Sequence, residues 1–179
     1  MLDESTWQRR PLFMSAASPE LRERIVGLLP RLRRFARTLA RNQHDADDIV
    51  QIAIERALAR SEQLKPDAPV ASWLFGIVRN AWIDESRARG RQSKIFAPEE
   101  FGANVAAWGG DEDMLAVQDA VSRLPDEQRV AVGLVLVEGL SYKEAAEIMD
   151  VPIGTLTSRL ARGREALQAM LTDTSGAVP

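Results

Sequence analysis

Glu138-Gly139-Leu140-Ser141-Tyr142-Lys143-Glu144 places a helix stop and a helix start side by side, and that juxtaposition constrains the chain more than any other feature. Glycine takes the left-handed conformation that closes a preceding helix. Ser141 and Glu144 have the spacing of a capping box, in which the serine oxygen and the glutamate carboxylate satisfy each other's orphan amides. Ala145, Ala146 and Ile148 follow, small or apolar, as a helix crossed closely by a neighbour requires. Asp150-Val151-Pro152-Ile153-Gly154 then breaks the pattern, and Thr155 is placed to cap a further helix whose inner face carries Leu156, Leu160, Leu167 and Leu171. Upstream, Pro125 with Asp126 and Glu127 suits a helix start, and Val130, Leu134 and Val137 form a stripe ending at Glu138-Gly139. Residues 124–168 therefore read as a helix-turn-helix.

Strand signals are almost absent elsewhere, so an all-α fold is expected. Leu21, Ile25, Leu28, Leu29, Leu32, Phe35 and Leu39 have the spacing of one helix face, interrupted by Pro30, where a kink or a division into two helices is expected. A second helix is expected over 45–60, with Asp45, Asp47 and Asp48 near its positive end. Residues 65–70, with Pro66 and Pro69, read as a loop. A third helix follows over 71–89, with Trp73, Leu74, Ile77, Val78 and Ala81 facing a core. Between 90 and 113, Pro98, Gly102, Gly109 and Gly110 break any periodicity, the composition of a linker. The expected organisation is a tail at 1–18, a helical domain at 19–92, a flexible linker at 93–113, a second helical domain at 114–172 and a tail at 173–179.

Composition narrows the functional classes. No cysteine is present, which excludes disulfides, thiolate metal sites and thiol redox sensing. With one histidine and no glycine-rich phosphate loop, no catalytic constellation can be assembled, so neither an enzyme nor a small-molecule substrate nor a cofactor is expected. His44 and Asp48 stand four apart, but a lone histidine beside carboxylates in a first helical turn reads as part of a cap rather than a metal site. No apolar run reaches the ~20 residues that cross a membrane, and Asp3 and Glu4 stand where a secretory signal is basic, so a cytoplasmic chain with no membrane association is expected. The net charge of −3 argues against indiscriminate coating of nucleic acid. Arginines are nevertheless clustered at 22–41, 79–94 and 159–164, and acidic residues at 45–55 and 99–113, which suits basic faces for phosphates and acidic ones for a protein partner.

Ser158, Arg159 and Arg162, flanked by Thr157 and Arg164, lie opposite the leucine face of the last helix. Arginine can donate two bonds to a guanine edge, and serine or threonine can bond phosphates or bases, so this is the chemistry of a major-groove reader. Asp48, Gln51 and Glu55 recur on one polar stripe of the second helix, which fits either a docking face or a solvated one. Asn80, Asp84, Arg87 and Arg91 recur along the third helix, with Arg79 and Arg89 adjacent.

Leu124-Pro125-Asp126-Glu127-Gln128-Arg129, Glu138-Gly139-Leu140-Ser141-Tyr142, Val151-Pro152-Ile153-Gly154-Thr155 and Ser158-Arg159-Leu160 together closely resemble region four of bacterial extracytoplasmic-function sigma factors. Leu29-Pro30-Arg31-Leu32-Arg33-Arg34-Phe35-Ala36 with Asp45-Ala46-Asp47-Asp48-Ile49-Val50-Gln51 resembles regions 2.1 and 2.2. Ser72-Trp73-Leu74-Phe75-Gly76-Ile77-Val78-Arg79-Asn80, with Asp84 and Arg87, resembles regions 2.3 and 2.4.

The resemblance implies a sigma region 2 helical bundle and a region 4 helix-turn-helix that together bind core RNA polymerase and promoter DNA. By it, Asp47, Asp48, Gln51 and Glu55 dock on the clamp helices of the largest subunits, and region 4 meets the flap. Arg79, Asn80, Asp84, Arg87 and Arg91 meet the minus-ten element, the 65–72 loop helping to hold a flipped base. Thr155, Thr157, Ser158, Arg159, Arg162 and Arg164 meet the minus-thirty-five element. Trp82 fits a stacking role or a core position. The acidic linker residues, Glu99, Glu100, Asp111, Glu112 and Asp113, suit either passage through polymerase channels or a solvated spacer. Val135 and Ala161 replace larger side chains found in some relatives, which removes one DNA contact and leaves the minus-thirty-five sequence open. Control by an anti-sigma factor is a further implication, for which two domains on a linker can close on each other or around a partner.

Overall fold

In the computed structural model, residues 17–40, 42–65, 67–92 and 112–175 are described, and among them the chain is helical with no strand. The all-α expectation holds. Helix α1 spans Pro19–Leu39, with Ser18 accepting the Leu21 amide at 3.2 Å. It buries Leu21, Ile25, Leu32, Phe35 and Leu39. Of the two outcomes expected at Pro30, the division into two helices does not occur: α1 runs through it as one helix. Pro30 and Val26, one turn earlier, both lie on the exposed side, where water can meet the carbonyl that lacks an amide partner.

Helix α2 spans Gln43–Ala59 and begins earlier than Asp45 because the Asn42 side chain caps it, accepting the Asp45 amide at 2.8 Å. Its buried face is Ala46, Ile49, Val50, Ala53 and Ala57, small enough for close crossing. A 3-10 turn at Ser61–Gln63 leads towards α3, which spans Val70–Gln92 and overruns the expected 71–89 at both ends. Leu74, Val78 and Ala81 are buried as expected, whereas Trp73 and Ile77 are only partly so. Phe35 and Phe75 meet edge to face at 5.4 Å in the centre of this bundle. Each is fully buried, and burial of a side chain this size is worth about 1.5–3 kcal/mol.

Of the expected linker, residues 93–111 lie outside the described residues, and Glu112 already opens a helix. This is α4, Glu112–Ser122. Helix α5 spans Asp126–Val132 and widens into a π turn at Gly133–Val137. Helix α6 spans Tyr142–Met149, and α7 spans Ile153–Ser175. The stop and start signals behave as their chemistry requires. Gly139 has φ +69°, and both bonds of the Ser141–Glu144 capping box are formed. Asp150 closes α6 in the left-handed conformation. Thr155 does not cap α7, which starts earlier, at Ile153. The Pro152 carbonyl instead accepts the amides of Thr155 and Leu156 at 2.9 and 3.1 Å. Leu156 and Leu160 are buried on the inner face, with Leu167 and Leu171 partly buried further along.

The two halves are packed together. One apolar core runs from Leu32, Phe35 and Trp82 into Val130, Leu134, Ala145 and Leu160. Close approach depends on Gly133, where a Cβ would fall 2.9 Å from the Phe35 ring.

Candidate nucleic-acid interface

On α7, Thr157, Arg162 and Arg164 are exposed, and Thr155, Ser158 and Arg159 are half-buried. The hydroxyls of Thr157 and Ser158 donate to the carbonyls of Ile153 and Thr155, both at 2.9 Å, which fixes their rotamers. Arg159 is ion-paired with Glu127 of α5, and only 20% of its side chain is exposed. Arg162 and Arg164 therefore present their guanidinium groups outward, while Arg159 is turned back on its own domain.

On α3, Asn80, Asp84 and Arg87 are exposed along one face. Asp84 pairs with Arg56 of α2 at 2.7 Å, and Arg89 pairs with Asp45 near the start of α2. These pairs tie the two helices together on the polar side of the bundle. Arg79 is half-buried and donates to the Asn80 side-chain carbonyl at 3.2 Å. Burial pulls the Arg79 guanidinium below its ordinary value, while the charges of Glu127 and Asp150 act in the opposite direction. Both of those carboxylates belong to the second half of the chain. Arg91 lies in α3 beyond the side chains described.

Asp47, Asp48, Gln51 and Glu55 are all exposed on α2. Gln51 donates to Glu55 at 3.1 Å, and His44 meets Asp48 at 3.0 Å. Asp47, Gln51 and Glu55 line an open groove shared with Arg33 and Arg37 of α1, so the face is mixed in sign rather than purely acidic. Among the described residues, no cluster of His, Asp and Glu could hold a metal ion. No described helix is long and apolar enough to cross a membrane. Trp82 is buried, with the Arg129 guanidinium 5.8 Å from its ring centroid, so its place is in the core rather than on the nucleic-acid face.

Four charged residues that patterning did not single out hold the halves together. The Glu138 carboxylate, its side chain fully buried, accepts from Arg31 Nε at 3.0 Å and from Arg34 Nε and Nη2 at 2.8 and 3.0 Å. Arg31 Nη2 also donates to the Glu138 backbone carbonyl at 3.0 Å. Arg129, buried, donates to the carbonyls of Ser122 and Leu124 in its own half and of Leu39 in the other, at 2.6, 2.9 and 3.0 Å. The only local signal was a glutamate directly before a helix-stop glycine.

Two family descriptions match the chain: the Sigma2 domain of PhyR over residues 25–79, and Sigma-70, region 4, over residues 114–167. The chain is 36% identical over 154 residues to the ECF RNA polymerase sigma factor EcfG of Rhodopseudomonas palustris, covering 84% of each chain. It is 40% identical over 141 residues to the ECF RNA polymerase sigma factor SigM of Mycobacterium tuberculosis, covering 78% of this chain and 71% of that one. Among solved structures it resembles the sigma factor RpoE of Bartonella quintana, crystallised in complex with the anti-sigma factor NepR. The TM-score is 0.76 at 30% identity, covering 87% of this chain and 98% of that one.

Proposed function

This chain belongs to the extracytoplasmic-function sigma factors of RNA polymerase, which are non-catalytic specificity subunits, and on that footing we propose how its surfaces divide the work of initiation. Asp47, Asp48, Gln51 and Glu55 on α2 dock on the clamp helices of core polymerase, in the cytoplasm. Asn80, Asp84 and Arg87 on α3, with Arg79 and Arg91, read the minus-ten element as it opens. Thr157, Arg162 and Arg164 on α7, with Thr155, Ser158 and Arg159, anchor the minus-thirty-five element. An anti-sigma factor holds the protein inactive until stress releases it, by analogy with the complex known for the RpoE relative.

The observation that carries this reading is the helix-turn-helix itself. Capping at Ser141 and the left-handed residues Gly139 and Asp150 set the short α6 across α7, and the outward side of α7 is left with exposed donors at Thr157, Arg162 and Arg164. A helix so presented can enter a major groove, where arginine bonds a guanine edge and hydroxyls bond phosphates. With a net charge of −3, region 4 gains little from phosphate neutralisation by the chain as a whole, so polymerase must supply the rest of the affinity.

Run-off transcription with core polymerase on promoters from the protein's own genome tests the proposal. Synthesis that depends strictly on this protein is the expected result. Absence of product from every such promoter would sink it.

A further inference from the structure

We propose that Ile153, Thr157 and Ala161 form an apolar ridge on α7 that reads thymine methyl groups in the minus-thirty-five element, beside the guanine edge taken by Arg162. The inference deepens the reading of α7 as the minus-thirty-five helix and rests on it.

The ridge follows from helical spacing. Residues four apart lie one above the other on a helix, and Ile153, Thr157 and Ala161 are all exposed on α7. Ile153 is 54% exposed in the first turn, and among the described large apolar side chains only Val26 is more so. Core packing does not explain an isoleucine there, because the core side of α7 is carried by Leu156 and Leu160. Helix propensity does not explain it either, because a branched Cβ lowers that propensity. The Thr157 hydroxyl donates to the Ile153 carbonyl at 2.9 Å, so in this rotamer what it adds to the ridge is its methyl group. Ala161 offers a methyl group and nothing else.

The residues that open a recognition helix are the ones that meet base edges. Alanine, the threonine methyl and larger apolar groups are the side chains that pack on the C5 methyl of thymine. From Ile153 to Ala161 the helix rises about 12 Å, at about 1.5 Å per residue, and so passes about three or four base pairs spaced about 3.4 Å apart. Arg162 and Arg164, exposed along the same helix, supply the fork for guanine and charge for the phosphates that wall the groove. Ile153 also borders an open groove with Lys143, Glu147 and Asp150. Two carboxylates to one ammonium make that a poor seat for phosphate, whereas an uncharged base edge suits the apolar side chain. An element read in this way contains A·T pairs whose thymine methyl groups face the ridge, and a guanine within reach of Arg162.

The test removes methyl groups from the DNA. In a promoter fragment from the protein's own genome, each thymine of the minus-thirty-five element is replaced singly by deoxyuridine, which pairs identically and lacks only the C5 methyl. Binding by core polymerase with this protein is measured in competition with the unmodified fragment. At one or more positions affinity should fall about fourfold, the factor carried by one buried methyl group. Ile153→Ala and Thr157→Ser then remove ridge atoms at exposed positions, and Thr157→Ser keeps the hydroxyl that bonds the Ile153 carbonyl. Each should bind the unmodified fragment more weakly and lose the discrimination between thymine and deoxyuridine at the position it faces. The deoxyuridine scan leaves the protein unchanged, so it reads the ridge independently of how well either variant folds.

Equal affinity for thymine and deoxyuridine at every position overturns the ridge. So does a loss in Ile153→Ala and Thr157→Ser that is the same on both bases. Either result leaves the minus-thirty-five role of α7 standing, whereas absence of a promoter complex on every fragment overturns that role and the ridge with it.

Discussion

Arg159, at the centre of the outward sequence on α7, is ion-paired with Glu127 on α5, so its guanidinium is engaged within its own domain. For Arg159 to reach DNA it must leave Glu127, and the carboxylate opposes the phosphates that would draw it away. Glu127→Gln should therefore strengthen duplex binding by region 4 within polymerase. In a salt titration, the slope of log affinity against log salt should steepen by about 0.9, the value of one further phosphate neutralised. A lower melting temperature with an unchanged slope would make Arg159 a brace between α5 and α7, leaving the reading to Arg162 and Arg164.

Two glycines in α7 are expected to respond in opposite directions to the same substitution. A Cβ at Gly163 would lie 3.0 Å from the buried Val132 side chain and 3.6 Å from Gln128, so α5 has no room to yield. Overpacking costs about 1–3 kcal/mol, against about 1 kcal/mol gained from alanine's helix propensity. Gly163→Ala should lower stability in urea melts and loosen region 4. Gly154 is exposed and meets nothing within 4 Å, so Gly154→Ala should raise stability by about 0.5–1 kcal/mol. Equal effects at the two sites would refute this account of α5–α7 packing.

The contrast between local and distant chemistry explains what was legible in the sequence. Gly139, the Ser141–Glu144 box and the helix break at Asp150 were readable because each is decided by residues within a few positions. Leu74, Val78 and Ala81 were readable from periodicity. Pro30 did not divide α1, because it falls on an exposed side where water can serve the carbonyl left without an amide. Thr155 misled because α7 begins two residues earlier, at Ile153, so Thr155 already lies in the first turn and the amides a cap there would serve are inside the helix. Trp73 is large and apolar but sits at the edge of the core face. Glu138 and Arg129 were illegible because their partners Arg31, Arg34 and Leu39 lie about a hundred residues away, at separations no local pattern reports. On the candidate site, the polar faces of α7 and α3 follow from helical spacing, but the partial withdrawal of Arg159 depends on Glu127 of α5 and that of Arg79 on burial, neither of which spacing along one helix reports.

The capping box makes region 4 sensitive to acid. Hydrogen bonds from the Ser141 hydroxyl and amide hold the Glu144 carboxyl below its ordinary value of 4.5. A depressed folded value means that the carboxylate stabilises the fold above the unfolded value and that this contribution is lost as pH falls through the folded one. Glu144→Gln should therefore be less stable than wild type near neutral pH, and the gap should narrow as pH falls below 4.5 and through the lowered folded value. Ser141→Ala should cost about 1 kcal/mol near neutral pH, or about 2–4 °C in melting temperature for a chain of this size. A gap between wild type and Glu144→Gln that stays constant down to pH 3 would show that the charge plays no part.

The polar stripe on α2 separates a docking face from a merely solvated one. Glu55 is exposed, accepts a bond from its neighbour Gln51 at 3.1 Å, and borders the groove with Arg33 and Arg37. Its substitution removes no core contact, and surface changes of this kind usually shift stability by within about 0.5 kcal/mol. If α2 meets polymerase through this stripe, Glu55→Lys places a charge of the wrong sign in an interface and should weaken core binding at least about tenfold, as like-charge juxtaposition costs several kcal/mol. The loss should appear in both association rate and salt dependence, since charges at an interface rim steer the encounter. Native gel shifts with core polymerase and a parallel melting curve distinguish the outcomes. Unchanged binding with an unchanged melting curve would show that the stripe is solvated and that region 2 docks through another face of the bundle.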